Sequence, residues 1–342
     1  MRWFKIFIVI IALVTLGVGA VVIAKNIRST QSPPIEVPEV PASLPIPKTL
    51  SIGWVGDMVP AESAFNETVF DFVKERTQAP DIMIGNFEAT FATSGRRSKC
   101  SYMPSRCHAF RGDPNFTVSL ADAGFDVISL VNNHALDYGE EGLTDTEDVL
   151  RNTNIPFISL NSPTLSIEKN GYAIGILGVS STPPTHYILD YDYITREIEK
   201  LKRENDIIIL IFHGGSEGST KTVVTGEYEF LGTENRGNVE EVARTAIDAG
   251  ADIVLGSGPH VLRKMEYYKD GVIIYSAGNF VGGNEKLLTK GALGISGIFN
   301  IFVQDKEPRL RHSIDSVILS KEGVPYLDPV EQGKILVEQL SQ

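Results

Sequence analysis

Asp126–Gly142, DVISLVNNHALDYGEEG, is the stretch on which the fold turns. Val127 to Val131 is a short apolar run of the kind that forms a buried strand. It stops at Asn132-Asn133-His134, polar side chains in direct succession. Asp137 and Gly139 follow, and then the acidic start of a helix running from Glu140 to Arg151. Open α/β sheets carry their chemistry in the loops after the carboxyl ends of their strands. An amide, an imidazole and a carboxylate at such a point form a candidate metal or phosphate site. Asn, Asp and Gly are also common turn formers, so the stretch alone supports a plain turn equally well. The rest of the chain decides between the two.

Upstream, Leu50 to Val55 reads as a first strand ending in Gly56-Asp57. A helix is expected over Asn66–Arg76, from the spacing of Val69, Phe70 and Val73. Asp81 to Ile84 is the next strand, ending in Gly85-Asn86-Phe87-Glu88, and a helix from Pro114 to Ala123 leads into the opening stretch. Downstream, Ile155 to Ser159 is a short strand. Asn170-Gly171 joins Leu165–Glu168 to Tyr172–Val179 as a hairpin. After a charged helix over Asp192–Arg203 comes the most apolar strand of the chain, Asp206 to Phe212, which ends in His213-Gly214-Gly215. A helix over Asn238–Ala249 precedes a strand, Asp252 to Leu255, that ends in Gly256-Ser257-Gly258-Pro259-His260. Val272–Tyr275 runs on to Gly278-Asn279-Phe280, and late strands are expected over Leu293–Val303 and His312–Leu319.

The strand ends thus carry Asp57, Glu88, Asn133-His134, His213 and His260. Each has a dull explanation singly; together they form a set of oxygen and nitrogen ligands placed in the same way. Such donors suit divalent Mn, Zn, Fe or Mg better than a soft metal. Two ions bridged by a carboxylate could activate one water between them.

The composition of the 342 residues allows a sizeable core, in one large domain or two small ones. A net charge of −12 argues against nucleic acid, which needs a basic footprint. Ile6 to Ala24 holds no charge and no proline, with Arg2 and Lys5 before it and Lys25 and Arg28 after it. Roughly 20 apolar residues span a bilayer as a helix. Residues 1–28 are therefore expected to be an uncleaved signal anchor, cleavage near Gly17-Val18-Gly19-Ala20 being the alternative. Residues 29–48 are a proline-rich spacer. Residues 49–320 form the folded domain, outside the cytoplasm on a single-pass membrane protein, and 321–342 a C-terminal tail. Cys100 and Cys107 stand close together in a polar loop. Outside the cytoplasm such a pair is expected to form a disulfide; a metal pair or two free thiols are the alternatives.

The segments VGDM, GNFEATF, FRGDP, GFDVISLVNNHALDYGEEGL and DAGADIVLGSGPHVLRKMEYYKDGVIIYSAGNF resemble the CapA family of poly-γ-glutamate capsule synthesis proteins. That family belongs to the calcineurin-like metallophosphoesterase superfamily. The resemblance runs in register over roughly Leu50 to Phe280. It implies a four-layer α/β/β/α sandwich with a metal site at one edge, and a role in making, exporting or anchoring an anionic capsule polymer alongside other subunits of a membrane synthase. It implies that Asp57, Glu88, Asn133, His213 and His260 are metal ligands. His134 matches the histidine that assists the leaving group or orients the reacting oxygen, and Asp137 is grouped with it as catalytic. The implied chemistry is attack of metal-activated water on phosphorus or an acyl carbon; the alternative is a scaffold subunit with a degenerate site. The chain departs from the family pattern in three places. Val59 stands where the superfamily's first motif has a histidine, Ser257 replaces a possible ligand, and the region after His213 lacks a common tryptophan. Glu217 is the residue that could compensate.

Overall fold

A computed structural model describes residues 48–60, 68–93, 95, 108–182, 187–282, 289–305 and 309–342. Ile6–Ala24, the spacer up to residue 47 and both cysteines lie outside these residues. Among the described residues, no helix is long and apolar enough to cross a membrane.

The chain first lays down β1 (Thr49–Met58), α1 (Lys74–Thr77), β2 (Ile82–Phe87), α2 (Phe116–Asp122), β3 (Val127–Ser129), α3 (Gly139–Asn152) and β4 (Phe157–Ile158). It continues through β5 (Thr164–Lys169), β6 (Tyr172–Ser180), α4 (Tyr191–Leu201), β7 (Ile207–His213), β8 (Glu229–Leu231), β9 (Glu234–Gly237) and α5 (Val239–Ala249). Then come β10 (Ile253–Ser257), β11 (Met265–Tyr268), β12 (Gly271–Ile274) and β13 (Asn279–Val281). The last elements are β14 (Ile295–Gln304), β15 (Leu310–Leu319), β16 (Pro325–Leu327) and α6 (Gln332–Leu340).

Two mixed sheets result. The first has the order β16-β15-β14-β1-β2-β3-β4, with β13 also paired to β1; the second has the order β11-β12-β10-β7-β6-β5. β1 to β4 run parallel, as do β6, β7, β10 and β12. Their carboxyl ends therefore gather at one edge of each sheet.

The apolar run of β7 follows from this arrangement. Ile207, Ile209 and Ile211 join a core that also takes in Ile52, Trp54 and Ile84 of the first sheet. Ile208, Leu210 and Phe212 point the other way and pack with Ile194 and Ile198 of α4 and Val242, Ala243 and Ala246 of α5. A strand buried on both faces needs apolar residues throughout rather than alternation. The two helices show their apolar residues at i, i+4 spacing on one face and start on capped turns. Asp190 Oδ1 accepts from Tyr193 N at 2.9 Å, and Asn238 Oδ1 from Glu241 N at 3.2 Å. Between the sheets, the buried Trp54 indole donates to Gly256 O at 3.3 Å.

Gly56 determines how β1 ends. A Cβ there would lie 2.0 Å from Gly278 O, and the next residue, Asp57, donates its N–H to the same carbonyl at 3.0 Å. The close approach brings Asp57 against the loop before β13. Gly56→Ala is expected to cost about 3 kcal/mol, the upper range for overpacking, and a lowered thermal midpoint is the check.

Sequence and structure part company in places. Of the helix expected over Asn66–Arg76, the described part is a turn from Thr68 to Val73 followed by the single helical turn α1. Residues 321–342, read as a tail, instead add β16 to the edge of the first sheet and α6, whose Val337 is buried in its core. The hairpin at Asn170-Gly171 is present as expected, both residues having positive φ.

Candidate metal centre

Asp57, at the end of β1, is fully buried. Asn86 Nδ2 donates to its Oδ1 at 2.8 Å, and Gly258 N to its Oδ2 at 3.3 Å. Glu88 follows β2, its N–H bonded to Met58 O at 2.9 Å. β1 and β2 thus set the two acids side by side. His213 closes β7, and His260 follows β10 in a left-handed conformation, φ +62°, a strained state of the kind that clusters at functional sites. The loop carrying it passes so close to its neighbours that a Cβ on Gly258 would meet Gly214 O at 2.8 Å.

The four side chains converge. His260 Nδ1 is 3.1 Å from Asp57 Oδ2 and 3.7 Å from Glu88 Oε2. His213 Nε2 is 3.4 Å from Glu88 Oε1, and its Nδ1 is 3.8 Å from Asp57 Oδ1. Asp57, Glu88 and His260 each offer one ligand atom, and these atoms all lie within 4.8 Å of one another. Each ring is steered from behind. His213 Nδ1 sits 3.0 Å from Ser257 Oγ; with the proton on Nδ1, the Nε2 lone pair faces Glu88. Asn279 Oδ1 lies 2.9 Å from His260 Nδ1, and Asn279 Nδ2 donates to His260 O at 3.2 Å.

Electrostatics make the cluster a poor assembly of protein groups alone. Burial, and then the Asp57 charge, push Glu88 up to about 8. Burial pushes His213 down to about 3. For His260 burial works downward, but the Glu88 and Asp57 carboxylates outweigh it and bring the ring to about 10. Burial likewise works upward on Asp57, and the hydrogen bond and charge of His260 reverse it, leaving the carboxyl below its usual range. Both Glu88 oxygens and His213 Nε2 are buried with no hydrogen-bond partner. Buried polar atoms normally have one, and buried charges are paired or bind metal. The orphaned atoms face one another, so the residues present fit a divalent cation.

His134 stands at the margin. Its Nδ1 lies 2.7 Å from Asp137 Oδ2, and its Nε2 is 3.8 Å from Glu88 Oε1. Asp137 Oδ2 also accepts from Phe110 N at 2.7 Å, and the Phe110 ring packs on the imidazole with centroids 4.4 Å apart. Asn133 precedes it in the same turn and is half-buried. Asn132 is the fully buried amide; its Nδ2 donates to Phe87 O at 2.9 Å and Asn86 Oδ1 at 3.2 Å, and its Oδ1 accepts from His134 N at 3.0 Å. Val59 is buried and bonds through its N–H to Val281 O at 2.9 Å, so that position brings an apolar side chain and no ligand.

Sequence reasoning named the acids and imidazoles and missed their supports. Asn86 and Asn279 had a usable signal, since each follows a glycine where an apolar run stops, and Asn86 stands close before Glu88. Arg236 and Arg263, both fully buried, had none. Arg263 grips Glu229 with both Nη atoms, at 2.7 and 2.6 Å, and Arg236 holds Glu217 at 3.0 Å. Glu217 Oε2 lies 3.8 Å from His260 Nε2.

Two mixed α/β sheets carry a carboxylate–imidazole cluster at their strand ends, and their fold is like that of a solved phosphatase. A crystal structure of a novel phosphatase from Mycoplasma pneumoniae superposes with a TM-score of 0.52 over 85% of this chain and 100% of that one, at 14% identity; the likeness is one of fold. The profile of the bacterial capsule synthesis protein family PGA_cap matches residues 18–284, and the chain belongs to that family. It is similar to capsule biosynthesis protein CapA of Bacillus anthracis, 26% identical over 234 residues, 62% of this chain and 53% of the relative. PGA biosynthesis protein CapA of Bacillus subtilis is 28% identical over 258 residues, 68% of this chain and 63% of the relative. The chain therefore matches between half and two thirds of the length of these relatives.

Proposed function

We propose that this chain serves the synthesis or export of poly-γ-glutamate or a related anionic capsule polymer. In this reading it is a membrane-anchored protein with its folded domain outside the cytoplasm, working beside other subunits of a synthase, and it carries a divalent-cation centre that cleaves a phosphoester-type bond. Family membership and the names of the Bacillus relatives support the biological role. The observation that carries the chemistry is the Glu88 carboxylate, fully buried, without a hydrogen bond and facing His213 Nε2.

Asp57, Glu88, His213 and His260 would hold the cation, with Asn133 as the further ligand of the Asn-His pair. A divalent cation held there would supply Lewis-acid polarisation of an anionic oxygen and would lower the pKa of bound water. The protein's own part is positional. Asp137 fixes the His134 ring through Nδ1, which turns Nε2 toward the centre, where it can give a proton to a leaving oxygen. The Phe110 ring keeps that imidazole from swinging out.

Elemental analysis of the purified full-length chain, with a screen of phosphate esters and γ-glutamyl peptides, tests this reading. Bound divalent metal together with turnover is the expected result; neither metal nor turnover overturns it. A scaffold reading draws on Val59, whose apolar side chain leaves one superfamily ligand unsupplied; bound metal without turnover favours it. For the anchor, the expected outcome is a membrane-bound chain with its first residues intact. A soluble form beginning after Ala20 replaces the anchor with a cleaved signal. Intact mass under non-reducing conditions decides whether Cys100 and Cys107 are joined.

A further inference from the structure

We propose that Glu217 is a further ligand of the cation centre, a third carboxylate supplied by the second sheet's loop after β7. The inference rests on the reading that the centre binds a divalent cation, and it extends that reading to the class of ion.

The placement carries the argument. His260 uses Nδ1 toward Asp57 and Asn279, so its Nε2 faces away from them, and there Glu217 Oε2 stands at 3.8 Å. The other oxygen, Oε1, is turned back to Arg236 Nη2 at 3.0 Å, an ion pair without hydrogen-bond alignment. A carboxylate anchored by one oxygen presents the other in a fixed direction. The anchor is itself immobile: Arg236 is fully buried, and its Nε donates to Gly215 O at 3.1 Å.

The loop is clamped again on its far side. Ser216 N donates to Glu229 Oε2 at 2.8 Å, Ser216 O accepts from Arg263 Nη2 at 3.2 Å, and Arg263 holds Glu229 bidentately. Two buried guanidinium groups on a short loop are a costly way to place a surface acid. They make sense if the acid must stand in one spot.

Arg236 does not need Glu217 merely as a counter-ion, because Glu234 Oε1 is within 3.4 Å of its Nη1. Meanwhile the Glu217 charge acts on both Glu88 and His260, as a member of the cluster does. With Val59 in place of an imidazole and Glu217 added, the donor set shifts from nitrogen toward oxygen. Oxygen-rich sets suit harder ions, of the manganese or magnesium kind.

The test is calorimetric titration of the full-length protein with Mn²⁺. Glu217→Gln is expected to weaken Mn²⁺ binding by at least about 10–100-fold, the range for losing a group that only supports a ligand, while Glu234→Gln leaves it at the wild-type value. Glu217→Asp, carried in parallel, keeps the charge for Arg236 but draws the oxygen back, and is also expected to bind more weakly. Equal Mn²⁺ affinity in the folded Glu217→Gln or Glu217→Asp protein overturns the inference. So does an equal loss in Glu217→Gln and Glu234→Gln, which marks both acids as counter-ions of Arg236. A wild-type protein that takes up no divalent cation overturns the underlying reading, and this inference with it.

Discussion

His134→Ala is expected to lower turnover on a phosphate ester by about 10²–10⁴-fold, the usual worth of general acid–base help, while the protein keeps most of its metal. The expectation comes from the way the ring is held. One nitrogen is committed to Asp137 at 2.7 Å; the other is 3.8 Å from the nearest Glu88 oxygen. The tight ligand group is Asp57, Glu88 and His260; His134 faces it with one nitrogen, the other being spent on Asp137. Imidazole exchanges protons near neutral pH, whereas an amide does not. Asn133→Ala is accordingly expected to lose metal first and activity as a result, as are Asp57→Ala, His213→Ala and His260→Ala. Metal content and turnover must be measured on the same preparations. If His134→Ala loses metal as completely as His260→Ala, then His134 is a ligand and its assignment as proton donor fails.

Glu88→Gln is expected to act in opposite directions on stability and on binding. In the metal-free protein the Glu88 carboxylate has no hydrogen bond and no exposure. Several kcal/mol is the effective cost of such a charge after relaxation, and the acid offsets part of it by holding its proton, which is why burial and Asp57 push it up to about 8. Glutamine fills the same space without the charge. The metal-free variant should therefore melt a few degrees higher than the metal-free wild type, at roughly 2–4 °C per kcal/mol recovered. Saturating Mn²⁺ should then reverse the order. A ligand at 100 times its Kd stabilises by about 2.7 kcal/mol, and the variant, lacking the central acid, gains little of this. Thermal melts of both proteins with chelator and with Mn²⁺ provide the comparison. A Glu88→Gln protein that melts lower than wild type in chelator and responds equally to Mn²⁺ would falsify the assignment of Glu88 to the centre.

That the acids and imidazoles lie near one another was legible in the sequence because parallel strands bring the residues at their carboxyl ends to one edge. Asp57, Glu88, His213 and His260 could each be found by asking what stands where an apolar run stops. β7 and the helices α4 and α5 were legible for similar local reasons. What was hidden depends on partners far away in the chain. Arg236 and Arg263 look like ordinary surface arginines until Glu217, Glu229 and the carbonyls of Gly215 and Ser216 surround them. Asn132 and Asn133 are indistinguishable on paper, yet Asn132 is committed to Phe87 and Asn86. β13 and β16 have three residues each, too few for an alternation to register, and they pair where the end of β1 runs on past β14 and along the free side of β15. Ser257 looked like a lost ligand; in place it orients the His213 ring through Nδ1.

The bond from Gly258 N to Asp57 Oδ2 joins residues 201 positions apart, and similarly long stretches separate the acids of the first sheet from the histidine after β10. Synthesis from the amino end delivers Asp57 and Glu88 long before His260. Until both sheets have met, these side chains do not stand together. Contacts of such long range are also the last to repay their loop closure during folding. Assembly of the cluster thus reports completion: where Asp57, Glu88 and His260 stand together, both sheets have folded.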